Sequence, residues 1–170
     1  MYKLPLIILL LLGQFAQAQW ITFTPSDKKF SVTLPATPKE DHSVAQKEGV
    51  EISIVEFECS GNEFDCGVAY SIYPSSVLDI ETHDAVLDGG VNGAVQQVNG
   101  ELIYQRKITI DGFPGREYKI SVKKGNSNLV IVAKSCIVGR RVYFAQIVTL
   151  TSNEFSPNIR KFLDSFHVTR

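Results

Sequence analysis

The sequence has no excess of charge of either sign and, beyond its first residues, no long apolar run. Lys3 aside, 16 basic residues face 18 acidic ones. This balance gives no electrostatic basis for binding nucleic acid or an anionic membrane surface. No later apolar run approaches the roughly 20 residues that a transmembrane helix needs. We therefore expect no nucleic-acid partner and no stable membrane insertion of the mature chain.

The common signatures of catalysis and of cofactor or metal binding are also missing. The sequence contains neither a G-x-S-x-G nucleophile elbow nor a C-x-x-C pair. The glycines at 89, 90 and 93 are not followed by the Lys and Ser/Thr of a phosphate-binding loop. His42, His83 and His167 are too widely spaced for a metal motif. These absences predict a non-catalytic protein without a cofactor or a metal.

Two small charged groups are weak candidates for binding. Asp79, Glu81, His83 and Asp84 precede a predicted helix, where acidic side chains complement the helix dipole more often than they bind a cation. Arg140 and Arg141 lie in a predicted turn and could meet an anion, although two basic residues at a turn are usually just solvated. Neither group is predicted to be a site.

The first 18 residues read as a secretory signal peptide. Lys3 supplies a positive charge, an apolar run follows over residues 4–12, and Ala16-Gln17-Ala18 forms an A-x-A cleavage site. No cysteine is present there, so a lipidated N-terminal cysteine is not expected. We expect cleavage before Gln19 and a secreted or periplasmic product. The remaining residues 19–170 are predicted to form a single domain, since a chain of this size can bury a substantial core.

Most of this domain is predicted to be β-structure. Short runs rich in Val, Ile, Phe, Tyr and Thr alternate with turn residues, which is typical of strands and hairpins. We expect hairpins over residues 50–73, 101–123 and 129–150, preceded by two strands at 20–24 and 30–34. Residues 129–133 and 142–145 are apolar at both odd and even positions. Because alternate residues of a strand face opposite sides of the sheet, this indicates central strands covered on both faces.

Two segments have helical periodicity. Leu87, Val91, Ala94, Val95 and Val98 form one apolar stripe, and the glycines within it would allow the helix to approach the sheet closely. The second helix is predicted over residues 156–166, with Ser156 as N-cap and Pro157 at the first helical position. The combination predicts an α+β fold, a mostly antiparallel sheet with helices packed on its faces.

The three cysteines lead to a specific prediction about one hairpin. If the hairpin is symmetric, Cys59 faces Cys66, with Phe57 opposite Val68 and Val55 opposite Tyr70 on the same face. In an exported protein these two cysteines are predicted to form a disulfide, leaving Cys136 as a buried free thiol. The bridge would fix a loop over residues 60–65, in which Phe64 and Asp65 are the candidate contact residues.

Several segments together resemble bacterial PsbP-like domains. The most distinctive is the run from Ile108 to Tyr118, and the others are residues 20–23, 30–35, 88–95, 137–143 and 162–166. The resemblance implies an antiparallel sheet between helices, in an α/β/α sandwich. It covers nearly the whole mature chain. Cys136, where an aromatic residue is common, and the Cys59/Cys66 pair depart from the pattern.

The functions of PsbP-like domains are diverse and mostly non-catalytic. Plant members are accessory subunits of the oxygen-evolving photosystem, a related eukaryotic branch binds a nuclear-transport GTPase, and some exported bacterial relatives are linked to the cell envelope. The resemblance implies an exported binding or accessory domain of the bacterial envelope, whose partner is an unidentified envelope protein or a small apolar ligand. Two alternatives remain open: a carrier of a lipid or other apolar small molecule held between sheet and helix, and a hydrolase whose site is built from distant residues.

Overall fold

The computed structural model describes residues 20–47, 49–74 and 82–170, and these contain ten strands and two α-helices. The predicted signal peptide lies outside the described residues, as do Asp79 and Glu81. Neither α-helix in the described part is long and apolar enough to cross a membrane.

The strands and helices follow one another along the chain with short connections. Their bounds are β1 Ile21–Phe23, β2 Phe30–Leu34, β3 Lys39–Lys47, β4 Val50–Ser60, β5 Phe64–Ile72, α1 His83–Gln97, β6 Glu101–Ile110, β7 Phe113–Lys124, β8 Ser127–Val138, β9 Arg141–Leu150, α2 Pro157–Asp164 and β10 His167–Val168. A short 3-10 helix, Thr151–Asn153, joins β9 to α2.

Seven of the described strands form one large sheet in the order β3-β4-β5-β9-β8-β7-β6, and β1, β2 and β10 form a small second sheet. Every neighbouring pair is antiparallel. The three predicted hairpins are present as β4–β5, β6–β7 and β8–β9. The predicted α+β fold, mostly antiparallel with helices on the faces of the sheet, is confirmed.

The two faces of the large sheet are covered by different elements. Helix α1 covers one face, where Val91 packs with Tyr118, Ile120, Ile131 and Ala133. Helix α2 and the small sheet cover the other face and enclose the main core. Strands β8 and β9 are therefore covered on both sides, as their apolar runs predicted.

A cluster of aromatic rings joins the small sheet to the large one. Phe30 on β2 is 1% exposed, and its ring centroid lies 5.6 Å from that of Phe57, 6.0 Å from that of Tyr143 and 6.2 Å from that of Phe166. Phe23 approaches Phe30 at 6.1 Å and Phe57 at 5.0 Å. The four strands and the segment after α2 that carry these rings therefore share one core.

Both helices begin at side-chain caps, of which the sequence predicted only the second. His83 and Asp84 lie inside α1 and not before it, and α2 ends at Asp164, two residues earlier than predicted. Thr82 is the N-cap of α1, and its hydroxyl accepts a hydrogen bond from the backbone N–H of Ala85. Of the three glycines of α1, only Gly90 lies closely against the sheet, since a Cβ there would be 3.3 Å from the ring of Phe144. Ser156 caps α2 as predicted, with Pro157 in its first turn.

Strand β3 was not predicted. Its nine residues, KEDHSVAQK, lack the apolar alternation of the other strands because β3 lies at an edge of the sheet. Charged side chains suit such an edge because they disfavour pairing with another chain. The turns are also tighter than predicted. In the β6–β7 hairpin the connection is only Asp111-Gly112, both with φ in the left-handed region, at 50° and 84°.

Candidate functional site

The cysteine hairpin has the predicted register. Cys59 lies opposite Cys66, and the next inward-facing pairs are Phe57 with Val68 and Val55 with Tyr70. All six residues belong to the main core. The two sulfur atoms are 3.1 Å apart as thiols. Cys136 is fully buried as predicted, and burial raises the pKa of its thiol to about 12.

The loop between β4 and β5 is shorter than the predicted contact loop of residues 60–65. The connection between β4 and β5 is only Gly61, Asn62 and Glu63, because Phe64 already belongs to β5. Phe64 was expected to be exposed as a contact residue. It is instead only 7% exposed and packs against Trp20, with the two ring centroids 6.1 Å apart. The prediction for Phe64 is therefore wrong, because β1 and the residue before it cover this end of the hairpin. Asp65 is exposed.

An acidic groove lies along β4 and β5. Glu56, Glu58 and Asp65 line it together with Lys39 and Gln146, and its volume is about 570 Å³. Burial, followed by the charges of Glu58 and Asp41, raises the pKa of Glu56. No cluster of His, Cys, Asp and Glu in the described residues could hold a metal ion.

A second cavity, the sheet-end cleft, lies where β5 ends, β7 begins and β8 turns into β9. Its apolar wall includes Ile72, Phe113, Pro114, Val138 and Tyr143, and its volume is about 520 Å³. Ligand pockets commonly measure about 300–1,000 Å³, so the cleft is large enough for a small molecule.

Basic side chains surround the sheet-end cleft. Lys29, His83, Arg140 and Arg141 line it, and among the described residues no Asp or Glu does. His83 is the first residue of α1, so the positive end of that helix dipole also lies at the cleft. The cleft therefore combines an apolar wall with a positive rim.

The basic residues of the rim differ in how many of their charged groups already have a partner within the protein. Arg141 donates from Nη1 to Oδ2 of Asp27 at 2.5 Å and stacks on Tyr70, with its guanidinium 4.6 Å from the ring centroid. Nζ of Lys29 donates to the backbone oxygen of Arg170 at 2.6 Å, which leaves further N–H groups to donate. Arg140 is exposed next to Gly139, whose φ is 59°, and no carboxylate in the described part of the chain pairs with it.

Two ion-pair networks fix the elements around these cavities. Arg116 on β7, 1% exposed, donates from Nε to Asp88 at 2.7 Å and from Nη2 to Asp84 at 2.6 Å, so it attaches α1 to the sheet. On the opposite face, Glu117 is 2% exposed and accepts from Arg106 at 2.9 Å and from Arg160 of α2 at 3.2 Å.

These networks lower the pKa of the carboxylates within them. Hydrogen bonds from Lys107 and Arg116 lower the pKa of Asp84 from 3.8 to about 2, and a hydrogen bond from Arg116 lowers that of Asp88. For Glu117, burial acts to raise the pKa, but Arg106, Arg160 and Tyr104 outweigh it and the net shift is downward.

Acid should therefore weaken the fold through these three carboxylates. Because each folded-state pKa lies below the unfolded value, their contribution is complete above the unfolded pKa values and is lost as the pH falls through the folded ones. We expect the free energy of unfolding in urea to fall between about pH 5 and pH 2. Asp84→Asn should flatten this dependence, whereas Asp65→Asn, a change at an exposed carboxylate, should not. If Asp84→Asn lost stability towards low pH as steeply as wild type, Asp84 would not be a source of the acid sensitivity.

Of the other sequence candidates, His83, Arg140 and Arg141 meet at the sheet-end cleft, whereas His42 and His167 lie elsewhere. The rings of His42 and His167 contact Glu40 at 2.9 Å and Asp111 at 3.2 Å, both at exposed positions outside the two cavities. Arg140 and Arg141 do lie at a turn, as predicted. No local pattern predicted that Lys29 and Phe113 would lie beside them, because these residues come from segments distant in the chain.

Comparison with known proteins identifies the fold. No family model and no curated protein matches the chain. The solution structure of cyanobacterial PsbP (CyanoP) from Synechocystis sp. PCC 6803 superposes with a TM-score of 0.62 at 16% identity, covering 92% of this chain and 96% of that one. PA94 from Pseudomonas aeruginosa matches with a TM-score of 0.45 at 14% identity, over 79% and 85% of the two chains. The α+β architecture of this chain is thus the PsbP-like fold.

Proposed function

We propose that this chain is an exported, non-catalytic binding domain of the bacterial cell envelope and that it binds its ligand in the sheet-end cleft. The observation that carries the proposal is the composition of the cleft, in which Phe113 and Val138 form part of an apolar wall and Lys29 and Arg140 part of a basic rim. A small number of polar groups on an apolar surface is typical of ligand sites. The PsbP-like fold is compatible with this role but does not assign it.

A carrier with its ligand between sheet and helix is less well supported. Leu87 and Val91 of α1 are 1% and 0% exposed, and Gly90 brings the helix directly onto Phe144. The space between α1 and the sheet is filled by these contacts. An apolar ligand is better accommodated in the open sheet-end cleft.

The hydrolase alternative has less support from the described residues. Hydrolysis would require a nucleophile or activated water next to a base, inside a cleft. The pairs His42–Glu40 and His167–Asp111 lie outside both cavities. The thiol of Cys136 is buried and its pKa is raised, so it is a poor nucleophile at neutral pH. We therefore propose no catalytic role.

Export and binding are tested together on protein recovered from the producing cell. Intact-mass measurement should show a chain beginning at Gln19. Native mass spectrometry of the same material should show a retained ligand that is reduced in Arg140→Glu and kept in Lys124→Glu, an exposed charge reversal at the far end of β7. A chain that retains residues 1–18, or one that retains nothing before and after exposure to an envelope extract, would contradict the proposal.

We infer that the exported protein also carries the Cys59–Cys66 disulfide. The two thiols are opposed across β4 and β5. The hydrogen bond from Cys66 lowers the pKa of Cys59, so Cys59 is the thiol that ionises first. Its thiolate would attack a disulfide oxidant of the compartment, and Cys66 would then displace the oxidant, which leaves as a reduced dithiol.

The disulfide should stabilise the domain measurably. The bridge closes a loop of eight residues, for which chain entropy gives about 2.5 kcal/mol. We expect Cys59→Ser to lower the free energy of unfolding by about this amount relative to oxidised wild type, and by less relative to wild type in reductant. Peptide mapping without reduction should find residues 59 and 66 linked. A bridge to Cys136, or three free thiols after export, would defeat the inference.

A further inference from the structure

We propose that the ligand of the sheet-end cleft is a single-chain amphiphile with an anionic head group, a carboxylate or a phosphate. This assignment rests on the proposed binding role of the cleft and adds the chemical class of its ligand. It follows from three features that meet there: an apolar wall, a basic rim and the lack of any acidic side chain among the described lining residues.

The wall suits a hydrocarbon chain. Ile72 and Phe113 are half-buried, so each presents part of an apolar side chain to solvent within the cleft. Val138 and Tyr143 lie behind them and connect the cleft to the main core. Removing this surface from water favours an apolar ligand in proportion to the area covered.

The rim suits a negative head group. Arg140 has a guanidinium with no carboxylate partner in the described part of the chain, and Nζ of Lys29 donates to the backbone oxygen of Arg170 and also interacts electrostatically with Asp27. Two described acidic side chains carried by neighbouring residues are already engaged: Asp27 by Arg141, and Asp111 by His167 and the backbone N–H of Val168. A carboxylate or phosphate would thus meet the guanidinium of Arg140, which no described carboxylate neutralises, and a guanidinium can bind either group with two hydrogen bonds.

Neither part of the cleft alone would define this ligand. A small inorganic anion would contact the rim but leave the wall in water. A cationic amphiphile would use the wall but place its charge against Lys29 and Arg140. Only a ligand with both an acyl or alkyl chain and a negative head group is complementary to both surfaces.

The test is calorimetric titration of the mature chain with inorganic phosphate and with four amphiphiles, each amphiphile below its micelle concentration. Dodecanoate and dodecyl phosphate should bind, while dodecyltrimethylammonium and inorganic phosphate should not. Affinity should rise with chain length from octanoate to dodecanoate, by about fourfold for each buried methylene. The stronger of the two dodecyl anions identifies the head group as carboxylate or phosphate.

A charge reversal at the rim provides the matched comparison. Arg140→Glu should weaken dodecanoate binding by about tenfold or more, equivalent to about 1.4 kcal/mol. Lys124→Glu makes the same change in net charge at an exposed position remote from the cleft and should leave the affinity unaltered. Equal binding of dodecyltrimethylammonium, or equal losses in the two variants, would overturn the proposal.

The experiments distinguish an error in the chemical class of the ligand from an error in the proposal that the cleft binds a ligand at all. If none of the probes binds but a molecule retained from the producing cell is lost in Arg140→Glu, the amphiphile assignment is wrong and the cleft is still a binding site. If neither a probe nor a retained molecule depends on Arg140, both proposals are wrong.

Discussion

Phe30→Ala should destabilise the protein by about 3–5 kcal/mol, the usual range for removing a buried phenyl ring. Phe30 contacts the rings of Phe57, Tyr143 and Phe166, which belong to β4, β9 and the segment after α2. The deletion would leave a cavity between the two sheets that these neighbours can fill only in part. Urea unfolding of wild type and variant measures the loss.

Phe155 provides the control for this substitution. Its side chain is 86% exposed, so Phe155→Ala removes the same atoms with little change in burial. We expect an effect within about 0.5 kcal/mol. If Phe30→Ala cost no more than Phe155→Ala, the small sheet would not form part of the main core, and the account of the fold would fail.

Arg116→Ala should cost about 3 kcal/mol, the lower end of the range for breaking a buried ion pair. The side chain of Arg116 is 2% exposed, whereas those of Asp84 and Asp88 are 52% and 45% exposed. The two carboxylates can therefore regain water, which limits the penalty. The variant also loses the packing of the buried aliphatic part of Arg116.

A second substitution separates charge from packing. Arg116→Met keeps an apolar stem of similar length and should recover part of the loss. In both variants amide hydrogen exchange should accelerate mainly in α1, because Arg116 attaches that helix to β7. Arg140→Ala, at an exposed and unpaired position, should change stability by less than about 0.5 kcal/mol. Uniform loss of protection across the sheet would argue against a local role for Arg116.

Register was the most predictable feature of this chain. A tight hairpin and period-two alternation are local properties, and together they placed Cys59 opposite Cys66 and Phe57 opposite Val68. Helix α2 was equally clear because its cap, proline and apolar spacing agree. Where several local signals agree, the sequence alone was enough to predict the structure of the segment.

The errors arose where tertiary contacts override local pattern. Phe64 has turn residues before it and a charged residue after it, yet Trp20 from a distant segment covers its ring. Strand β3 is defined by its pairing with β4, and its polar sequence has no apolar face to reveal it.

The candidate site could not be predicted for a related reason. The consecutive residues Arg116 and Glu117 look like an exposed charged pair in the sequence, but each is buried by partners on a different face of the sheet. The sheet-end cleft likewise takes Lys29, Phe113 and Arg140 from three separate segments of the chain. Such juxtapositions depend on strand order, which alternation does not specify.

The central claim is that this domain binds a ligand in the sheet-end cleft, and amide shift mapping tests it most directly. Isotope-labelled mature protein is mixed with an envelope extract of the producing cell, and the backbone resonances that move are assigned. We expect changes around Ile72, Phe113 and Arg140 and none around Glu58 and Gly67 of the acidic groove. Changes confined to the acidic groove, or no change anywhere in the spectrum, would contradict it.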